Sequence, residues 1–165
     1  MILLIFLFYF NKNNLIDCVS FLTNAENPDP KVTIQSLTII TSDRPGLVIP
    51  IPFDPNVRSY EFTLKKGIQY QLKLSFTVSN NIVSGLRYMN TVRKIPGFIL
   101  VESTTVMLGT FSPQNEPYTY KLEEDTTPSG LFSLGEYFVE IKFVDDDNKC
   151  YLEIEYDFQI TQDWS

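Results

Sequence analysis

The sequence predicts an all-β, antiparallel sandwich behind a short N-terminal arm, and three observations predict it. Beyond residue 31, segments of five to eleven residues alternate apolar and polar side chains, the period of a strand with one buried face. Turn-forming clusters separate these segments: DRPG, DPN, KKG, SNN, IPG, SPQNEP and TPSG. No helical period lies between them, so parallel strands joined by crossover helices are not expected.

The first ten residues, MILLIFLFYF, are apolar but roughly half the length of a membrane-spanning helix. They lack the basic start and small-residue cleavage site of a signal peptide. The readings are an anchor, a weak targeting segment or translated upstream sequence, and the segment is set outside the fold. Leu15, Ile16, Val19 and Leu22 then recur at helical spacing, which predicts a short helix over 14–22. NAENPDP (24–30) is the linker, so an arm of residues 1–30 precedes a domain of residues 31–165.

Within that domain the expected strands are 32–41, 47–53, 60–64, 68–78, 82–92, 100–108, 118–122, 136–143 and 151–160. In 68–78, Ile68, Tyr70, Leu72, Leu74, Phe76 and Val78 point one way. In 151–160, Leu152, Ile154, Tyr156, Phe158 and Ile160 share a face opposite Glu153, Glu155, Asp157 and Gln159.

Charge and composition narrow the function. The net charge of −7 and pI of about 4.5 disfavour nucleic acid and anionic membrane, and favour basic partners. There is no histidine, which removes Ser-His-Asp and Cys-His catalysis and His-ligated metals. Cys18 and Cys150 lie at opposite ends of the chain, and no Asn-x-Ser/Thr acceptor occurs; a reduced, cytoplasmic protein is expected. The run Asp145–Asp147 invites a calcium or catalytic reading. An EF-hand loop fails, because Lys149 and Cys150 take its fifth and sixth positions. A hairpin tip with a solvated acidic patch is the expectation.

One stretch is more specific. LKKGIQYQLKLSFTVSNNIVSGLRY (64–88) resembles the signature region of the Rho GDP-dissociation inhibitors. VMLGTFSP (106–113), TPSGLFSLGEY (127–137), FVDDDNK (143–149) and a closing Asp163-Trp164 follow in the family's order. The resemblance implies an immunoglobulin-like sandwich that is not an enzyme and needs no cofactor. It would hold the C-terminal geranylgeranyl group of a GDP-bound Rho-family GTPase between its sheets, slow GDP release and keep the GTPase soluble. It would meet the membrane only transiently.

Carried over residue by residue, the pocket positions fall on Ile39, Phe62, Ile82, Val139, Ile154 and Tyr156. Phe62, Val139, Ile154 and Tyr156 already lie on the inward face of their strands. GTPase contacts are expected from Leu15, Ile16 and Val19 of the arm, and from the acidic side chains Glu123, Glu124, Asp145 and Asp146. Two departures are expected to matter. Ile154 and Tyr156 stand where the family usually has tryptophans, and the arm is short. Two further readings are a general prenyl-binding solubilising factor and a secreted immunoglobulin-like adhesion module.

Overall fold

A computed structural model describes residues 28–51 and 62–164. The expected helix at 14–22, the apolar start and the arm contacts Leu15, Ile16 and Val19 lie outside them. Nine strands account for most of the described chain: β1 (Lys31–Thr41), β2 (Leu47–Pro50), β3 (Phe62–Lys65), β4 (Gln69–Ser79), β5 (Val83–Lys94), β6 (Ile99–Phe111), β7 (Tyr118–Thr126), β8 (Gly135–Val144) and β9 (Cys150–Thr161). They form two sheets, ordered β2-β1-β4-β7 and β3-β9-β8-β5-β6. All pairings are antiparallel but one: β3 lies parallel to β9, with Phe62 opposite Phe158. β2 is an edge of the first sheet and β3 an edge of the second.

The alternation places the core as expected. Val32, Ile34, Leu37 and Ile39 of β1 are buried, as are Leu74, Phe76 and Val78 of β4 and Tyr137, Val139, Ile141 and Phe143 of β8. β2 is shorter than expected. It ends at Pro50, followed by Pro52, and neither residue can donate a ladder hydrogen bond.

The two ends of the sandwich differ. At one end the sheets are joined by aromatic rings: Phe76 of β4 meets Phe111 of β6 edge-on at 5.0 Å, and Phe111 meets Tyr118 of β7 at 4.9 Å. We call this the closed end. The β4–β5 turn and the β8–β9 turn lie there, since Val32 pairs with Val78 and Val144 with Cys150. At the other end lie the turn 66–68, the hairpin between β5 and β6, and the loop 127–134.

Candidate functional site

Between the sheets at that second end is an apolar cavity of about 60 Å³. Its walls include Ile39, Phe62, Tyr70, Leu72, Val92, Val139, Tyr156 and Phe158. These are the same inward positions that fill the core at the closed end, taken where the strands reach the open end. Phe62 stacks on Phe158 at 5.7 Å and tilts against Tyr156 at 5.6 Å.

Tyr70, Leu72, Tyr88, Asn90 and Glu102 line both this cavity and a second space, a groove of about 560 Å³. The groove runs between β6 and β7, which are the edges of different sheets and are not hydrogen-bonded to each other. Its mouth is acidic, with Glu102, Glu123, Glu124 and Asp125 around it. Its floor is polar where it joins the cavity. The hydroxyl of buried Tyr88 and Oδ1 of Asn90 have no hydrogen-bond partner among the described residues. Burial pushes the phenols of Tyr156, Tyr70 and Tyr88 well above their ordinary value; at Tyr70 the neighbouring Asp125 adds to the effect. The Tyr70 hydroxyl donates to Asp125 Oδ2 at 3.2 Å, tying β4 to β7 at the groove.

A small apolar space adjoins a larger, acid-rimmed groove, and the two together reach the volume range of ligand pockets. Among the described residues no group of three or more carboxylates or thiols is arranged to hold a metal ion. Nor is any helix there long and apolar enough to cross a membrane.

A family model described as RHO protein GDP dissociation inhibitor matches residues 9–163. The chain belongs to this family. It is 50% identical over 153 residues to Rho GDP-dissociation inhibitor 1 of Arabidopsis thaliana, covering 93% of this chain and 63% of that one. To the protein of that name from Homo sapiens it is 32% identical over 141 residues, 82% and 66% of the two chains. A putative rho GDP-dissociation inhibitor 1 of Dictyostelium discoideum is 32% identical over 148 residues, 86% and 74%. The chain thus spans about two thirds of the length of the curated relatives it matches.

The Rho GDP-dissociation inhibitor motifs, scattered in sequence, meet in pairs. At the open end, Thr127 of TPSG donates its hydroxyl to the Lys65 carbonyl at 2.7 Å and accepts from Ile68 N at 3.0 Å. At the closed end, Asp146 N of FVDDDNK donates to the Ser84 carbonyl of IVSG at 3.1 Å, and the Ser84 hydroxyl lies 3.4 Å from Asp146 Oδ2. Gly85 turns there at a φ of 59°, and a Cβ on it would sit 2.1 Å from the Asp146 carboxyl. Only glycine leaves that carboxylate room.

The expected site residues separate accordingly. Ile39, Phe62, Val139 and Tyr156 come together on the cavity wall. Ile154 is buried on the same face, opposite Ile141, but does not line the cavity. Ile82 does not reach the cavity at all. It precedes β5 in the turn after Asn80, is 53% exposed, and leaves the inward position to Val83.

Glu123 and Glu124 are exposed at the groove, but the aspartates are not part of that patch. Asp145 is 4% exposed and serves the hairpin. Its Oδ1 accepts from Asp147 N at 3.0 Å and Lys149 N at 2.9 Å, and its Oδ2 accepts from the Tyr151 hydroxyl at 2.6 Å. Of the two aspartates expected to contact the GTPase, Asp145 is buried in its turn, while Asp146 is exposed and lies against Gly85. Reasoning from sequence missed Tyr70, Leu72, Tyr88, Asn90, Val92 and Phe158 as lining residues. For Tyr70, Leu72, Asn90, Val92 and Phe158 the signal was position, since these lie in the open-end half of their strands; Tyr88 lies nearer the closed end.

Proposed function

We propose that the protein is a cytosolic Rho GDP-dissociation inhibitor. It would bind the C-terminal geranylgeranyl group of GDP-bound Rho-family GTPases, extract them from membranes, keep them soluble and slow GDP release. It acts as a binding protein with no cofactor and no catalysed reaction. The observation that carries this reading is the apolar cavity continuous with an acid-rimmed groove, in a chain of that family.

Burying a twenty-carbon isoprenoid recovers about 0.8 kcal/mol per CH₂, on the order of 15 kcal/mol in all, enough to compete with a bilayer. The residues in named roles are Ile39, Phe62, Val139 and Tyr156 as apolar wall. Glu123 and Glu124 attract the basic segment ahead of a prenylated cysteine, and the arm residues Leu15, Ile16 and Val19 contact the GTPase. Ile154 shapes the wall from behind, through Tyr156.

The test is extraction of prenylated Rho GTPase from liposomes, with unprenylated GTPase as control. Extraction of the prenylated form alone is expected, and Phe62→Asp should abolish it while leaving the protein folded. Equal recovery of both forms would overturn the reading. GDP release from the prenylated GTPase, measured with and without the protein, tests the inhibitory half. An unchanged rate would reduce the function to solubilisation.

A further inference from the structure

Several segments reach the open end. The β1–β2 turn and the segment after β9 carry Asp43 and Asp163, the latter 3.2 Å from Lys65 Nζ. Three others differ in composition from the rest of the chain. Segments 65–68, 93–101 and 126–135 hold Lys65, Lys66, Arg93 and Lys94 and no acidic residue, although the whole chain has 20 acids and a net charge of −7. The acids that bound the last of them, Asp125 and Glu136, belong to the strands β7 and β8.

These loops also carry the largest exposed apolar side chains among the described residues. Leu131 is 85% exposed and Phe132 84%, with Phe98, Ile99 and Leu100 each exposed by more than half. The end of β5 is tied to the loop 127–134, and the β5–β6 tip packs on β8. Lys94 Nζ, at the end of β5, donates to the carbonyls of Phe132 and Leu134, and Phe98 packs edge-on against Phe138 at 5.7 Å. Both loops adjoin the cavity, whose lining includes Val101, Thr127 and Pro128.

We infer that this rim is a bilayer-docking surface. Leu131, Phe132, Phe98 and Ile99 enter the interfacial zone of a membrane while Arg93, Lys94 and Lys66 face its anionic headgroups. Exposed apolar side chains flanked by cations are what such an interface accommodates, and patches of this kind on soluble domains mark interaction sites. Lys65 is paired with Asp163 and Arg93 with Glu140, so Lys66 and Lys94 chiefly lower the repulsion that the acidic body would otherwise meet at a cytoplasmic leaflet.

Continuity with the cavity, which rests on the proposed function, selects a bilayer as the occupant. A prenyl chain crossing from membrane to cavity would then pass along an apolar rim and avoid water. The 53% exposed Ile82, at the far end of the sandwich, supplies the internal contrast.

The experiment uses the full chain alone, without GTPase. An environment-sensitive dye is placed at Phe132→Cys or at Ile82→Cys, with Cys18 and Cys150 replaced by serine. Vesicles of phosphatidylcholine with phosphatidylserine carry a bilayer-embedded quencher. Quenching at position 132 but not at 82 is expected. The pair Leu131→Asp and Phe132→Asp should lower vesicle partition at least tenfold, while binding of a detergent-solubilised prenylated peptide stays within twofold.

Equal or absent quenching at the two positions overturns the inference. So does burial of position 132 in solution, whether by concentration-dependent self-association or by residues 1–10, as revealed by their deletion. Phe62→Asp separates the two claims. Lost extraction in the parent protein with quenching intact would sink the functional reading and leave the rim standing.

Discussion

Replacing Asp145 by alanine tests whether the aspartate run is architecture or surface charge. The Asp145 carboxylate accepts three hydrogen bonds, from two backbone amides of its own turn and from the Tyr151 hydroxyl. Its carbonyl also accepts from Arg87 Nη2 at 2.6 Å, a bond to the main chain that alanine retains. A hydrogen bond to a charged group contributes about 1.5–3 kcal/mol when buried, and less where the donor can turn to water. Asp147 N and Lys149 N lie on the turn and regain water on truncation, so about 1 kcal/mol each is appropriate. The half-buried Tyr151 phenol adds a similar amount, which brings Asp145→Ala to roughly 3 kcal/mol of lost stability.

For a domain of this size that corresponds to a fall in Tm of about 6–12 °C. Asp147→Ala, by contrast, removes an exposed carboxylate for which no side-chain hydrogen bond is found among the described residues, and should stay within about 0.5 kcal/mol. Thermal and urea unfolding followed by circular dichroism measure both. If Asp145→Ala and Asp147→Ala proved equally mild, the buried-turn account would be wrong and a surface role for the whole run would return.

Three further outcomes are expected. Gly85→Ala should cost about 1–2 kcal/mol for its left-handed backbone, and adding Asp146→Ala should recover part of that loss in a double-mutant cycle. Full additivity of the two would show that the carboxylate is not what glycine makes room for. Stability should be insensitive to histidine ionisation, since there is none, and should fall above pH 10. Tyr70, Tyr88, Tyr151 and Tyr156 have folded pKa values raised above an unfolded value near 10, so their contribution is complete below that pH and lost as pH rises past it. Tyrosinate absorbance that rises well before unfolding would contradict this. Finally, Glu123→Gln with Glu124→Gln should weaken capture of a GTPase with a basic prenylated tail several-fold at low salt and little at 0.5 M, where screening reaches about 4 Å. A salt-independent loss would point to a structural role for these residues.

The strands were legible because one period governs them. Each of the nine expected segments overlaps a strand of the structure, and errors arose where a backbone feature interrupts the count. Pro50 ends β2 early, and the turn at Asn80 hands the inward position from Ile82 to Val83. The parallel β3–β9 pair was illegible, because alternation gives a strand's faces and not its neighbour. For the site, alternation identified Phe62, Val139 and Tyr156 as inward but could not separate them from Ile154, one inward position away. The acidic run misled for a related reason. A buried Asx-type turn and a solvated patch have the same letters, and only the three donors converging on Asp145 tell them apart.

The two ends of the sandwich explain how one core is both stable and receptive. At the closed end, aromatic contacts cross between the sheets: Phe76 and Tyr118 belong to the four-stranded sheet and Phe111 to the five-stranded one. At the open end, the rings Phe62, Phe158, Tyr137 and Tyr156 stack on one another within the five-stranded sheet. The sheets can therefore part there without breaking an aromatic contact among these rings, and the closed end acts as the hinge. For the proposed ligand to enter the cavity alone they would have to part, because about 60 Å³ holds roughly two water molecules. Opening should show in hydrogen exchange. Amides of β4 at Gln69–Leu72 should exchange through local openings, while those at Leu74–Val78 exchange only with global unfolding. A prenylated peptide should slow the first group and leave the second unchanged. Uniform protection along β4 in the unliganded protein would mean that the sheets do not separate from one end, and that the lipid enters sideways through the groove between β6 and β7.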